Sequence, residues 1–289
     1  MPSNEQRREA AKRKLERQLE RRAVAARRRK QLTIGGSIVG VVAVVVVIAL
    51  IVWLTGGDDE ASTQATPVDV TDVYLAGAVA MPQERSEPLP EIVNCEYVPG
   101  GEASREVQPP SAEVNTTAGA INLTMETSEG NIGLTLDREK APCTANSFES
   151  LASQGYYDNT PCHRLVLGGS IRVLQCGDPN GIGNGGPGYQ FNDEFPVDQF
   201  DPMSMEAQSP VIYPRGTIAM ANAGPGTNGS QFFMLLRDSA LPPAYTVFGT
   251  IDDGGLETLE TIGRGGNDDP AGNDGAPNLP VEIRSVTAS

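Results

Sequence analysis

One histidine and one tryptophan in 289 residues, with aromatic residues at 5%, leave this chain short of the groups that most enzymes use for proton transfer. His163 is that histidine. A serine-hydrolase triad would have to use it, and no G-x-S-x-G turn accompanies it, so that chemistry is set aside. The four cysteines do not fall at zinc-ligand spacing, and with a single imidazole available no metal site is expected. The phosphate-cradling G-x-x-x-x-G-K-[ST] run is missing. Gly181 to Gly186 matches G-x-G-x-x-G in form, but Pro187, Gly188 and Tyr189 come next, where a helix should begin. No helix N-terminus is there to hold a pyrophosphate, so no cofactor is expected. The acidic run from Asn267 to Gly275 lacks EF-hand spacing and reads as a solvated loop.

Acidic residues dominate, with a net charge of −15, yet the imbalance is not uniform: residues 1–32 carry +8 and the remainder −23. A basic arm can bind nucleic acid, but the adjoining segment decides otherwise. Residues 34–54, IGGSIVGVVAVVVVIALIVWL, contain no charge at all. As a helix they would span about 31 Å, enough for a hydrocarbon core of roughly 30 Å. Arg27, Arg28, Arg29 and Lys30 precede this run and Asp58, Asp59 and Glu60 come after it, which puts the N-terminus in the cytoplasm. Residues 1–33 are therefore expected to be a basic cytoplasmic segment touching anionic lipid, with no nucleic-acid partner, and 34–54 a single transmembrane helix. Everything beyond is expected outside the cell membrane. Residues 55–118 are polar and then proline-rich, with prolines at 82, 88, 90, 99, 109 and 110, and read as a stalk or linker partly docked on the next domain through Cys95.

That domain, 119–289, begins with two apolar runs around Ser128 to Gly130, a predicted hairpin. Pro142 opens a predicted helix with Phe148, Leu151 and Ala152 on one side; Leu256, Leu259 and Ile262 mark a second. Many short strands with two helices suit a capped β-barrel.

The most informative stretch is Met220 to Leu235, MANAGPGTNGSQFFML, where a glycine-rich turn with Asn222, Asn228 and Gln231 separates two apolar runs. Upstream stand CHRLVLGGSIRVLQCGD (162–178) and GGPGYQF (185–191), and downstream YTVFG (245–249). In this order these motifs resemble the cyclophilins, the cyclosporin-binding peptidyl-prolyl cis–trans isomerases, over Gly119 to Val286. The resemblance implies a mainly β fold: a closed antiparallel β-barrel capped by two α-helices, here preceded by the transmembrane helix. It also implies a rotamase that assists the folding of extracytoplasmic proteins by stabilising the twisted X–Pro amide, with proline-containing polypeptides as partners. The alternative is a noncatalytic adaptor of the same fold that binds proline peptides.

By the same resemblance Arg164 is the catalytic residue. Gln175, Asn222 and Gln231 bind the substrate backbone, Val173, Phe233 and Leu241 wall the proline pocket, Ala221 and Tyr245 line the groove, and His163 is its structural support. Alternation along the strand sends Phe232 into the barrel. Four positions depart from the family pattern: Arg172 stands where a pocket Phe is usual, Ala240 replaces Trp, Tyr245 replaces His and Cys162 replaces Phe. The stretch Leu167 to Ile171 carries about three extra residues, which could bring Ile171 to the place of Arg172. Cyclosporin should bind weakly if at all.

All four cysteines, Cys95, Cys143, Cys162 and Cys176, lie beyond the apolar span, and an even count on an oxidising side favours two disulfides. If Arg164 and Gln175 face one groove, Cys162 shares their face and Cys176 does not, which makes Cys162–Cys176 the least attractive bridge. The other two pairings stay open, with Cys143–Cys162 and Cys95–Cys176 favoured.

Overall fold

The computed structural model describes residue 75 and residues 77–289, so the basic segment and the apolar span lie outside the described residues. No helix among the described residues is long and apolar enough to cross a membrane.

Ten of the strands from the hairpin onward form one antiparallel sheet. Its strands in chain order are β1 (Ile121–Thr127), β2 (Gly130–Leu136), β3 (Thr160–Pro161), β4 (Arg164–Val166), β5 (Val173–Cys176), β6 (Thr217–Met220), β7 (Phe232–Leu235), β8 (Val247–Ile251), β9 (Asp274–Gly275) and β10 (Glu282–Ala288). The spatial order is β9-β4-β5-β7-β6-β8-β2-β1-β10-β3. Strict alternation explains β1, where Ile121, Leu123 and Met125 are buried while Asn122 and Glu126 face solvent. The chain reverses at Gly130, whose φ of 137° is closed to other residues.

The expected closed barrel is not formed; the sheet curls but remains an open half-barrel. The reason lies at its two ends. Strands β3 and β4 are successive in the chain, yet Cys162 and His163 between them belong to no ladder, and the Cys162 N–H donates to Val281 O at 2.9 Å. The free edge of β4 is taken by β9, from the acidic loop, with Asp274 opposite Val166 and Gly275 opposite Leu165.

Two helices pack on the sheet, α1 (Pro142–Ser153) and α2 (Asp253–Gly265). Helix α1 drives Phe148 against Phe232 and Phe248, with ring centroids 5.2 and 5.3 Å apart. Each such buried side chain stabilises by about 1.5–3 kcal/mol. Helix α1 has no side-chain cap of its own, and Glu194 serves instead, accepting from the Cys143 and Thr144 N–H groups and the Thr144 hydroxyl. Burial pushes the Glu194 carboxyl up to about 7, against the lowering pull of those donors. Helix α2 is capped by Asp252, which accepts from the Gly255 N–H at 2.7 Å.

The proline-rich segment before the sheet packs on it within one compact unit. Val98–Pro99 pairs with Tyr189–Gln190, Ile92–Asn94 with Glu113–Asn115, and Val79–Ala80 runs parallel to Val211–Tyr213. Tyr97 stands edge-on to Tyr189 and Phe191, at 5.5 and 5.6 Å, and its hydroxyl donates to Cys143 O. The guanidinium of Arg105 donates to the carbonyls of Gly155, Tyr156 and Asp158, each at 2.8 Å.

The disulfides are Cys95–Cys143 and Cys162–Cys176, which overturns the favoured pairing of Cys143 with Cys162 and Cys95 with Cys176. The alternation of β4 does not extend back to Cys162, because the strand begins only at Arg164. Freed from the ladder, Cys162 turns into the core, where it and Cys176 are 3% and 0% exposed.

Candidate active site

Pairing of β4 with β5 sets Arg164 opposite Gln175, and pairing of β5 with β7 sets Gln175 opposite Phe233. Three neighbouring strands thus bring together side chains that are far apart in sequence. A polar row results. The Gln175 amide accepts from Arg164 Nη1 at 3.1 Å and donates to Gln231 Oε1 at 3.0 Å, and Gln231 in turn donates to Gly185 O at 3.0 Å. On its other side Arg164 is gripped by Asp274, with Nε to Oδ1 and Nη2 to Oδ2 both at 2.7 Å. A guanidinium has five N–H groups. Asp274 takes two and Gln175 one, so two are left for a ligand. The hydrogen bond to Asp274 holds the Arg164 guanidinium above its usual pKa, and the same bond holds the Asp274 carboxyl below its own.

Beside this row lies an apolar cluster. Phe233, Val173, Leu241 and Val247 form a second buried cluster, distinct from the one that holds Phe232. Adjacent positions on β7 therefore serve opposite faces, as the period of two requires. Tyr245 meets Phe233 edge-on at 5.4 Å, and Ala221 packs partly buried against the cluster. Asn222 is held by its amide donating to Ala244 O at 2.8 Å.

At the position where sequence placed Arg172 in the pocket, the structure sets Ile171 against the cluster. The Arg172 guanidinium folds back to the carbonyls of Gly169 and Ile171, at 3.1 and 3.0 Å. The inserted loop is also tied to Ala240, whose N–H donates to Ser170 O while the Ser170 hydroxyl donates to Ala240 O.

His163 lies between Arg164 and Gly183. A Cβ on Gly183 would come within 3.1 Å of its Nε2, which is why glycine stands there with φ at 80°. Both ring nitrogens are buried without a hydrogen-bond partner among the described residues, and burial lowers the imidazole pKa, so the ring stays neutral at pH 7. Asp178 organises the glycine-rich loop. Burial alone would raise its carboxyl, but the N–H groups of Asn180, Ile182, Gly183 and Gly185 outweigh that and hold it below the usual range. Those amides, which a phosphate would need, are already occupied by this internal carboxylate. Among the described residues no group of three or more potential metal ligands is assembled.

Sequence reasoning missed Asp274, which read as part of a solvated loop. The contact joins residues 110 positions apart, and only the Asp-Gly pair at 274–275, a turn signature, marked the place where the loop returns to the sheet.

The sequence profile described as cyclophilin type peptidyl-prolyl cis-trans isomerase/CLD matches residues 122–288. A Mycobacterium tuberculosis protein named probable peptidyl-prolyl cis-trans isomerase B is 50% identical over 295 aligned positions, covering 99% of this chain and 94% of that protein. The Mycobacterium leprae protein of the same name is 52% identical over 196 residues, 67% of this chain and 66% of its own. Among solved structures, a Cryptosporidium parvum cyclophilin type isomerase determined in the presence of the dipeptide Ala-Pro is 30% identical, covers 58% of this chain and 98% of its own, and superposes with a TM-score of 0.46.

Proposed function

Since the chain belongs to the cyclophilin-type peptidyl-prolyl cis–trans isomerases, we propose that Arg164 is its catalytic residue and that it serves polypeptides folding on the outer side of the cell membrane. The reaction rotates an X–Pro amide. The barrier of about 18–20 kcal/mol is the loss of amide resonance, and crossing it breaks no bond. As the amide twists, the proline nitrogen recovers its lone pair and becomes an acceptor. A donor fixed beside that nitrogen is used more fully in the twisted state than in either planar state, which is what lowers the barrier. Arg164 has free N–H groups in a guanidinium clamped from two sides, and this is the observation that carries the assignment. Gln175, Gln231 and Asn222 would meet the flanking backbone, while Phe233, Val173 and Leu241 receive the ring.

The outer location rests on the uncharged run 34–54 with its basic and acidic flanks, and two disulfides suit an oxidising side. Protease added to intact spheroplasts should digest the acidic domain or the chain leading to it. Protection of both would reverse the orientation.

Cyclosporin should inhibit this enzyme only weakly. With Ala240 in place of a Trp, the macrocycle loses a large apolar contact and an indole donor, worth about 1.5–3 and 0.5–1.5 kcal/mol. The first is about 10- to 150-fold in affinity and the second about 2- to 10-fold. The Ser170 loop is hydrogen-bonded to both the N–H and the carbonyl of Ala240, which fixes the backbone at this position. Titration of the inhibitor against isomerase activity checks this, and inhibition at low nanomolar concentrations would show that the macrocycle finds other contacts.

A further inference from the structure

A cavity of about 430 Å³ opens beside the polar row, and part of its wall comes from outside the matched family domain. Gln175, Gln231, Ala221 and Asn222 belong both to this cavity and to the site described above. Gly100, Gly101 and Glu102 form another part of the lining, and they come from the segment that precedes the family domain. The segment is fastened on both sides of these residues. Before them stand the Cys95–Cys143 bridge and the Gly100 N–H bonded to Gly188 O at 3.0 Å. After them the Ser104 N–H donates to Gly186 O at 2.9 Å, and the Ser104 hydroxyl accepts from Asn180 Nδ2 and the Gly186 N–H. A wall held at both ends is part of the site rather than a passing loop.

Of the residues lining the cavity, Glu102 alone is charged. It is exposed and forms no ion pair among the described residues. The cation nearest in sequence, Arg105, is engaged by three carbonyls. The Asp178 carboxylate beneath the loop adds negative charge of its own. Gln231, which lines the cavity, stands two residues before Phe233 at the start of β7, and two residues of extended chain reach about 7 Å at roughly 3.3 Å per residue.

We propose that the pre-domain segment, pinned by Cys95–Cys143, makes this cavity a specificity pocket in which Glu102 selects a Lys or Arg side chain two or three residues from the isomerised proline. This rests on the isomerase reading and adds the class of client. The test measures kcat/KM of the detergent-solubilised full chain on peptides that differ only in Lys, Ala or Glu at those positions, placed on either side of the proline. Lys should exceed Glu by about two- to fivefold at low salt, as befits a partly exposed charge pair, and the ratio should shrink in concentrated salt. Glu102→Gln should bring the ratio to one and Glu102→Lys should invert it, with Ala peptides turned over equally by all three proteins. Because Glu102 is exposed, neither change threatens folding. Equal rates on Lys and Glu peptides for the unmodified chain, or a preference that survives Glu102→Gln, would overturn the proposal. If no peptide is turned over, the isomerase reading fails instead, and the same series read by binding affinity still decides the pocket.

Discussion

Replacing Arg164 by Ala should lower kcat/KM for a short, uncharged proline peptide by on the order of 10²–10³, the usual cost of removing one preorganised donor to the transition state. Peptide affinity should change far less. The ring still has Phe233, Val173 and Leu241, and the backbone still has Gln231 and Asn222, so the loss falls on kcat. Arg164→Lys should recover little, because an ammonium lacks the planar fork that meets Asp274 with two nitrogens and Gln175 with a third. Nuclear magnetic resonance exchange on the full chain gives both quantities from one sample. A fall of less than about tenfold in the Ala variant would remove Arg164 from its catalytic role.

The contribution of Asp274 is one of placement rather than stability. Side chains of the pair are 46% and 47% exposed, and ion pairs at such sites contribute roughly 0–1 kcal/mol. What the carboxylate does is restrict a long side chain to one direction, and β9 exists as a strand only through its pairing with β4. An acid whose folded pKa is lowered contributes stability above its unfolded value and loses it as pH falls through the folded one. For Asp274 that window lies below about 4, its unfolded value being about 3.9, so the grip on Arg164 is intact at neutral pH.

How much of this was legible depends on the range of each signal. The alternation that separates Phe232 from Phe233 is local and survives intact: one ring reaches Phe148 in the main core and the other reaches Tyr245 beside the groove. Runs of short strands and the two helical stripes were equally local, and both helices stand where Phe148 and Leu259 predicted them. What sequence could not carry was pairing between distant segments. The edge of β4 is closed by two residues from a loop with no apolar period, and that one pairing both left the sheet open and made Asp274 a partner of Arg164. Two-residue strands such as Val98–Pro99 show no period either, so the wall that Gly100 to Glu102 add to the cavity had no signature. The disulfide pairing failed for a related reason: a period of two holds only inside a strand, and Cys162 lies just outside one.

Breaking the two disulfides should separate stability from catalysis. Their chain separations are 48 for Cys95–Cys143 and 14 for Cys162–Cys176. If a bridge acts by restricting the unfolded chain, loops of these lengths correspond to about 4 and about 3 kcal/mol at 25 °C. The longer loop should therefore cost more, and replacing Cys95 and Cys143 by Ser should lower the urea midpoint further than replacing Cys162 and Cys176. Activity should rank the other way. Cys176 directly follows Gln175, and Cys162 precedes Arg164 by two residues, so loss of that bridge loosens the joint that aims both side chains. Loss of Cys95–Cys143 should spare turnover of an uncharged peptide and weaken only the preference for Lys, since it removes one of the fastenings of the wall that carries Glu102 and leaves the polar row of Arg164, Gln175 and Gln231 in place. Peptide mapping of the oxidised, denatured chain must first find the two bridges themselves; a Cys95–Cys176 fragment would restore the rejected pairing. With the bridges established, equal loss of turnover in both double variants would mean that the pre-domain segment supports the catalytic strands as well as the cavity.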